Sequence, residues 1–491
     1  MRIQNTLSRK KEEFVPITPG EVRMYVCGVT VYDLSHIGHA RSAIVFDVIR
    51  RSLLFKGYRV TFVRNFTDVD DRIIRRANAD GVPAREVSER YIREFQVDME
   101  SIGVLPGDVE PKATEHIPQM VALIERLIAG GFAYVVDGDV YFEVRTFPEY
   151  GKLSGKNLEE LLAGARVEVD ERKRDPRDFA LWKSAKPGEP SWASPWGPGR
   201  PGWHIECSAM AMQYLGESFD VHGGGEDLVF PHHECEIAQA EAVTKRPFVR
   251  TWIHNGFVNM GSEKMSKSLG NTLTIKDIVT RHDPEALRLW MLGTHYRSPV
   301  EYAEDRVRDA ARALARFRAL IDEADRLAPT AGGSRYRVEV GAGQLDAAVA
   351  AIADAELARI VSARADAFAA AMDDDFNTPA ALATLFDLSH DLHRYRDGVS
   401  RGEKAKDAFV AAVDVLLRLG QRGLGLFERP AAQSGPTDEV RSTAERLVAE
   451  REAARAARDY KRADELRAQV LALGATIVDT AAGPQLKWGG T

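Results

Sequence analysis

Cysteine is scarce in this chain of 491 residues. Only three occur, Cys27, Cys207 and Cys235, and they are scattered along the sequence. Three thiols cannot build a disulfide framework, so the composition excludes a disulfide-stabilised secreted scaffold and indicates a reducing compartment. We therefore expect a cytoplasmic protein whose cysteines are buried side chains or metal ligands.

Long hydrophobic runs are absent as well. No stretch approaches the length of apolar residues needed to cross a bilayer, so no membrane segment and no membrane partner are predicted. The opening residues MRIQNTLSRKKEEF carry charge with no apolar run behind them, so no signal peptide is expected. An excess of positive charge is also missing. The net charge of −7 argues against general nucleic-acid binding but leaves room for a local basic groove.

The N-terminal part of the chain predicts a strand–helix–strand unit. Residues 22–28 and 58–68 are rich in apolar and β-branched side chains, which indicates two buried strands. Between them, apolar residues recur at helical spacing over 36–56. Such a unit implies a parallel sheet with a right-handed crossover, and ligands of these sheets bind at the carboxyl ends of the strands. Cys27 and Thr67 are expected at those ends.

The rest of the chain predicts further domains. Hydrophobic residues make up 44% and charged residues 28%, which is typical of a globular protein, and the length calls for more than one core. The predicted class is α/β, with the following units: a Rossmann-type parallel-sheet domain at 1–282 with an insertion at about 115–202, a helical-bundle domain at 283–428, a linker at 429–439, and a small C-terminal α+β domain at 440–491.

The tetrapeptide HIGH opens the predicted crossover helix. A helix start presents unpaired backbone N–H groups and the positive end of the helix dipole, and both suit a phosphate group. Gly38 lets a ligand approach the backbone, and the imidazoles of His36 and His39 can donate hydrogen bonds to phosphate oxygens. These three residues form a candidate ATP site in which the two histidines are catalytic. The alternative is a helix start with two surface histidines.

A second short motif, KMSKS, lies in a glycine-flanked segment. Its lysines, Lys264 and Lys267, can neutralise a leaving pyrophosphate. A solvated basic loop would explain this motif alone, but the pair HIGH and KMSKS resembles the class I aminoacyl-tRNA synthetases. That resemblance implies a Rossmann-type catalytic domain that joins an amino acid to ATP. It makes both lysines catalytic and Lys267 part of the ATP site.

Three distant segments carry side chains suited to zinc. Two of them contain Cys27 and Cys207, and the third, PHHECEIAQ, adds two histidines, two glutamates and a cysteine. On a helix, positions three or four apart share a face, so His232 can pair with Cys235 or with Glu236. The residues by themselves leave that choice open.

The combined motifs narrow the resemblance to the cysteinyl-tRNA synthetase family. The matching stretches run from about residue 20 to about residue 380 and continue in the tail: MYVCGVTVYDLSHIGHAR, NFTDVDDRII, GRPGWHIECSAM, DVHGGGEDLVFPHHECEIAQ, KMSKSLGN, MDDDFNTP and AARDYKRADELRAQV. The resemblance implies one zinc ion per chain, bound by Cys27, Cys207, His232 and Glu236. It also implies substrate contacts at Thr30, Thr67, Trp203 and Asp227, with His222 nearby.

The same resemblance implies a reaction and its partners. Members of the family couple L-cysteine to its tRNA, so the expected ligands are L-cysteine, the tRNA for cysteine, and ATP with Mg²⁺. Helices within 283–428 are expected to contact the tRNA stem, and residues 440–491 are expected to bind the anticodon. A monomer is expected.

Chemistry favours Glu236 as the fourth zinc ligand. A hydrophobic pocket separates near-isosteres such as cysteine and serine by about a hundredfold at most, whereas zinc strongly prefers a thiolate to a hydroxyl. Three protein thiolates would hold zinc too completely for it to accept a substrate sulfur, and the weaker oxygen of Glu236 leaves the metal open to one. On this interpretation, His233 and Glu234 face away from His232.

Two other functions share parts of the pattern. A cysteine ligase that acts on an amino sugar has a similar catalytic domain, but it lacks the long helical tail that accompanies MDDDFNTP in this chain. A non-catalytic, synthetase-like RNA-binding or regulatory protein would be expected to lose the signature histidines or lysines, and both signatures are intact here. A tRNA-charging assay separates the three functions.

Overall fold

A computed structural model of the chain describes residues 1–155, 172–260, 263–264, 272–330, 334–430, 438–457, 459–472, 475–480 and 483–488. The predicted catalytic residue Lys267 and the side chain of Lys264 lie outside the described residues. The chain divides into two compact units, Met1–Glu428 and Arg429–Thr491. None of the helices in the described ranges is both long and apolar enough to span a bilayer.

The strands of the first unit are β1 (Arg2–Asn5), β2 (Lys10–Glu13), β3 (Glu21–Thr30), β4 (Arg59–Thr67), β5 (Ala133–Val136), β6 (Asp139–Phe142), β7 (Phe179–Ser184), β8 (Gly199–Pro201), β9 (Phe219–Gly225), β10 (Val249–Asn255), β11 (Val258–Met260), β12 (Glu263–Lys264) and β13 (Val300–Tyr302). Its helices are α1 (Ile37–Phe55), α2 (Asp71–Asp80), α3 (Ala84–Ser101), α4 (Ile117–Ala129), α5 (Trp203–Leu215), α6 (Glu234–Thr244), α7 (Ile275–Val279), α8 (Pro284–Leu292), α9 (Glu304–Leu327), α10 (Leu345–Ala350), α11 (Ala355–Asp373), α12 (Thr378–Ser400) and α13 (Lys406–Arg418).

A parallel sheet in the order β10-β9-β3-β4 is the centre of the first unit. Strand β3 pairs with β4 on one side and with β9 on the other, where Tyr25 lies opposite His222. The chain leaves β3 toward β4 and later returns to β9, so the topological switch point lies between β3 and β9. Ligands of such sheets bind at this point, beyond the carboxyl ends of the strands.

The predicted strand–helix–strand unit is confirmed as β3, α1 and β4. Helix α1 forms because its apolar residues recur on one face, and Ile44, Val48 and Leu53 on that face are buried. Its path over the sheet depends on Gly223 in β9, since a Cβ there would lie 2.1 Å from the ring of Phe46 in α1. This close packing fixes the direction in which the start of α1 points.

The remaining elements agree with the predicted fold class. Strands β5 to β8 form an antiparallel sheet within the stretch that we interpret as an insertion, and α9 to α13 form the helical region. The domain limits near residues 115, 202 and 282 stay predictions.

The second unit is a small α+β structure. Helices α14 (Asp438–Ala456) and α15 (Tyr460–Ala472) are followed by an antiparallel hairpin of β14 (Ala475–Thr480) and β15 (Gly483–Trp488). Leu447, Leu466 and Val470 form its buried core with residues of β14. Most of the predicted linker at 429–439 lies outside the described residues.

Candidate metal and nucleotide site

The four predicted metal ligands meet at the carboxyl edge of the sheet. Cys27 lies on β3, Cys207 lies on α5, and His232 and Glu236 lie at the start of α6. Cys27 Sγ is 3.6 Å from Cys207 Sγ and 3.4 Å from Glu236 Oε1. His232 Nε2 is 3.0 Å from the same Oε1 atom. One donor atom from each residue lies within 4.8 Å of the other three.

The spacing of these donors fits a zinc ion. With Zn–S bonds of about 2.3 Å and Zn–O bonds of about 2.0 Å, a tetrahedral ion separates two sulfurs by about 3.8 Å and a sulfur from an oxygen by about 3.5 Å. The corresponding distances of 3.6 Å and 3.4 Å agree with this geometry. A second group, Cys27, His222, His233 and Glu236, meets the same distance limit. It offers only one sulfur, and a borderline-soft ion favours the group with two.

Three of the four residues carry a charge at neutral pH. Burial would lower the pKa of His232, but Cys207 and Glu236 outweigh it and raise that pKa to about 10. Burial would raise the pKa of Glu236, but His222 and His232 outweigh it and lower that pKa to about 2. Burial would also raise the pKa of Cys207, yet the hydrogen bond from Cys27 and the nearby His232 bring it down to about 6. Because zinc binds deprotonated ligands, Glu236 and Cys207 already have the form that the metal requires. His232 and Cys27, the pKa of whose thiol is raised by burial, would release their protons when zinc binds.

Cys235 lies away from the cluster. Its sulfur is buried and lies 3.3 Å from the hydroxyl of Tyr150. Neither candidate ligand group includes it, and burial raises the pKa of its thiol well above the usual value. The geometry therefore favours Glu236 over Cys235 as the partner of His232.

The prediction that His233 faces away from His232 is wrong. His233 Nε2 lies 3.4 Å from Cys27 Sγ and 3.9 Å from Glu236 Oε1, the same oxygen that His232 contacts. Burial lowers the pKa of His233 well below the usual range, so the ring is neutral. The backbone bends at Phe230 (φ −139°, ψ 133°) shortly before α6 begins, so counting along a regular α-helix gives the wrong direction here. The companion prediction for Glu234 is confirmed, because its carboxylate accepts backbone N–H groups of Leu153 and Ser154.

The predicted substrate residues fall into two sets. Thr30, Trp203 and Asp227 line a cavity of about 510 Å³ that also reaches Cys27. Trp203 packs against the metal cluster, with its ring centroid 4.3 Å from that of His232.

Thr67 and His222 are buried instead. The hydroxyl of Thr67 donates to Glu206 at 2.7 Å, and His222 Nε2 donates to Glu236 Oε2 at 2.9 Å. His222 therefore orients the predicted metal ligand Glu236, and it is not among the residues that line the cavity.

The HIGH histidines stand at the start of α1 and line the same cavity. Nδ1 of His36 accepts the backbone N–H of Gly38 at 3.1 Å, and Nδ1 of His39 accepts the backbone N–H of His36 at 3.2 Å. The rings are stacked, with centroids 3.8 Å apart. Because Nδ1 is the acceptor in both neutral rings, each proton sits on Nε2, which can donate to a phosphate oxygen.

Several site residues carry no strong signal in the sequence. Asn65 accepts the backbone N–H of Gly28 beside Cys27, and His204 Nδ1 lies 3.0 Å from His232 Nδ1. A Cβ at Gly224 would lie 3.0 Å from the ring of His233, so this glycine makes room for the histidine. The first four residues of the run HGGGEDL, His222 to Gly225, form the end of β9. The only hint of these neighbours is the density of polar residues in otherwise apolar elements.

Comparisons with known proteins agree with the site. Residues 13–312 match the family described as tRNA synthetases class I (C) catalytic domain, and residues 367–428 match the DALR domain. The fold is similar to that of methionyl-tRNA synthetase from Mycobacterium tuberculosis in complex with methionyl-adenylate, with a TM-score of 0.60 and 17% identity, covering 82% of this chain and 91% of that one. Fold and site together define a class I tRNA synthetase.

Similarity at the sequence level extends over nearly the whole chain. This chain is 52% identical over 499 residues to cysteine–tRNA ligase of Geobacter sulfurreducens. It is 51% identical over 496 residues to cysteine–tRNA ligase of Geobacter metallireducens, and 99% of each chain is covered in both comparisons. The chain belongs to the cysteine–tRNA ligase family. The family and the fold class predicted from the motifs are thereby confirmed.

Proposed function

We propose that this protein joins L-cysteine to its tRNA, using ATP and a cysteinyl-adenylate intermediate, with zinc selecting the substrate thiolate. One observation carries the proposal. A single cavity is lined by Cys27 and Trp203 at one side, beside the metal cluster, and by the HIGH residues at another. A thiol and a triphosphate bound at these two places would meet between them, where a carboxylate can reach the α-phosphate.

The first step is adenylate formation. The carboxylate of cysteine attacks the α-phosphate of ATP, and pyrophosphate leaves. His36 and His39 donate Nε2–H groups to phosphate oxygens, and the start of α1 adds its backbone N–H groups and its dipole. Mg²⁺ accompanies the triphosphate. Lys264 and Lys267 are the cations that the KMSKS motif would contribute to the leaving pyrophosphate.

Selection of cysteine rests on the metal cluster. Cys27, Cys207, His232 and Glu236 would hold a zinc ion, which when bound supplies a soft acceptor for a thiolate and a poor one for a hydroxyl. His222 and His204 orient the ligands Glu236 and His232. Trp203 and Thr30 line the space that the amino acid would fill.

The second step transfers the cysteinyl group to RNA. A ribose hydroxyl at the 3′ end of the tRNA attacks the carbonyl of the adenylate, and AMP leaves. The stem-contact role of 283–428, the anticodon-binding role of 440–491 and the monomeric state stay predictions.

The test is ATP–pyrophosphate exchange on zinc-loaded protein. The exchange rate with cysteine is expected to exceed the rate with serine by more than about a hundredfold. Packing alone would separate these two amino acids by about a hundredfold at most, so a larger ratio requires the metal. Transfer of radiolabelled cysteine to tRNA completes the assignment. Equal exchange rates with serine and cysteine would contradict zinc selection. Exchange without transfer to tRNA would favour the amino-sugar ligase. The absence of both exchange and transfer would favour a regulatory protein.

A His39→Ala variant separates transition-state stabilisation from amino-acid binding. Loss of one preorganised donor to the phosphate is expected to lower kcat for exchange by about 10²–10³-fold, with little change in KM for cysteine because the metal cluster is intact. The exposed His390 provides the matched control, and His390→Ala is expected to leave both constants unchanged. A His39→Ala enzyme with normal kcat would remove this residue from the proposed mechanism.

A further inference from the structure

A hydrogen-bonded chain connects the N-terminal segment to the metal cluster. Thr6 Oγ1 lies 2.8 Å from His254 Nδ1, His254 Nε2 lies 2.7 Å from His233 Nδ1, and His233 Nε2 lies 3.4 Å from Cys27 Sγ. We infer that Thr6 is a positioning residue of the metal site, which directs an N–H group at the sulfur of Cys27 through the two histidines. This inference rests on the proposed metal site.

The direction of each hydrogen bond follows from the thiolate. A metal-bound thiolate only accepts, so the Nε2–H group of His233 must donate to it. The other nitrogen of that neutral ring then accepts, and its donor is the Nε2–H group of His254. Nδ1 of His254 accepts in turn, and its donor is the hydroxyl of Thr6. The hydroxyl therefore fixes the tautomer of both rings.

The secondary-structure elements around this row of hydrogen bonds hold its side chains in place. His254 lies at the end of β10, and the backbone N–H of Thr6 donates to the carbonyl of Trp252 in the same strand at 2.9 Å. The side chain of Asn5 bonds the backbone of Arg250 and Trp252, which fixes the N-terminal segment along β10. His254 and His233 are both buried, so the hydrogen bond between them is shielded from bulk water.

The consequence for the metal is electronic. A hydrogen bond to a ligating thiolate withdraws electron density from the sulfur and orients it, and partners of this kind tune the affinity of the bound ion. When the Cys27 sulfur donates less electron density to the metal, the ion accepts a further thiolate more readily. Thr6 would thus adjust the site for substrate from a segment that contributes no ligand.

The alternative ligand group assigns His233 a different role. If Cys27, His222, His233 and Glu236 held the ion, His233 Nε2 would bind the metal and could not donate to Cys27. A change at Thr6 would then act on a nitrogen ligand and would leave the sulfur-to-metal absorption band in place. The two arrangements therefore predict different spectra.

The experiment uses the full-length protein loaded with Co²⁺, whose sulfur-to-metal charge-transfer band reports on the thiolates. In Thr6→Val, which keeps the shape but removes the hydroxyl, the band is expected to move to lower energy because the Cys27 sulfur regains electron density. Co²⁺ affinity is expected to fall about tenfold because the sulfur is no longer held in place, and this loss outweighs its stronger donation to the metal. Thr6→Ser is expected to restore both. Thr146→Val is the matched control, because that hydroxyl donates to the Glu143 carbonyl far from this chain of hydrogen bonds, and it is expected to change neither.

His254→Phe interrupts the chain one step closer to the metal and is expected to shift the band in the same direction. This variant serves if Thr6→Val fails to fold, as judged by circular dichroism. Wild-type band position and affinity in both folded variants would overturn the inference. Failure of the wild-type protein to bind Co²⁺ or Zn²⁺ would instead overturn the proposed zinc function, so the two failures are distinguishable.

Discussion

Cys207→Ser is expected to lose zinc and to lower kcat/KM for cysteine in ATP–pyrophosphate exchange by about a thousandfold or more. The substitution replaces a thiolate ligand by a hydroxyl, for which zinc has little affinity. Without the ion, the substrate sulfur has no specific partner. A site built around one polar group of its substrate rejects an analogue that lacks this group by about 10⁴-fold, which indicates how much such a contact can contribute to kcat/KM. Metal analysis of the purified variant and exchange kinetics with cysteine measure the two effects.

Cys235→Ser is the matched control for that prediction. The same atom is exchanged at a buried cysteine near the same cluster, but the Cys235 sulfur lies against Tyr150 and belongs to neither ligand group. Zinc content near one ion per chain and nearly normal exchange are expected. Loss of zinc in Cys235→Ser together with retention in Cys207→Ser would show that the ligand set has been assigned wrongly.

The local structure around the site could be predicted from the sequence wherever periodicity was strong. Strands β3 and β4 follow from stretches of apolar and β-branched residues, helix α1 follows from apolar residues at helical spacing, and the HIGH segment lies at the predicted helix start. These features depend on residues that are close together along the chain, and periodic sequence patterns contain information about such local structure.

Convergence of the metal ligands could not be derived from periodicity. Cys27 and Glu236 lie 209 positions apart and meet only because β3 and β9 are neighbours in the sheet. Their prediction depended on family motifs. The prediction for His233 is wrong because the backbone bends at Phe230 shortly before α6, and a pattern of residue types does not show where a helix begins.

Thr6 and His254 illustrate a further limit. They are 248 positions apart, and neither residue type in its local context indicates a metal site. A threonine in a polar turn and a histidine at the end of an apolar strand are ordinary in isolation. Their role emerges only when the edge of β10 and the N-terminal segment are adjacent, which is a property of the tertiary structure.

Arg51→Met is expected to lower the free energy of unfolding by about 3–5 kcal/mol, as is typical when one partner of a buried ion pair is removed. The side chain is fully buried in α1, the helix that carries the HIGH histidines at its start. It donates to Asp47 at 2.8 Å and to Glu428 at 2.7 Å. Methionine fills a similar volume but leaves these carboxylates without one of their cations, although Arg288 still bonds Asp47. Urea unfolding followed by tryptophan fluorescence measures the change.

Arg85→Met on α3 is the matched control. Arg85 also pairs with an acid four residues away, Glu89, but its side chain is 87% exposed, and exposed ion pairs contribute little to stability. Its unfolding midpoint is expected to match that of the wild type. The double variant Arg51→Met/Glu428→Met removes one buried carboxylate together with its cation, so it is expected to recover part of the loss. If Arg51→Met is no less stable than Arg85→Met, apolar packing alone holds α1 in place, and the buried charges do not position the HIGH histidines.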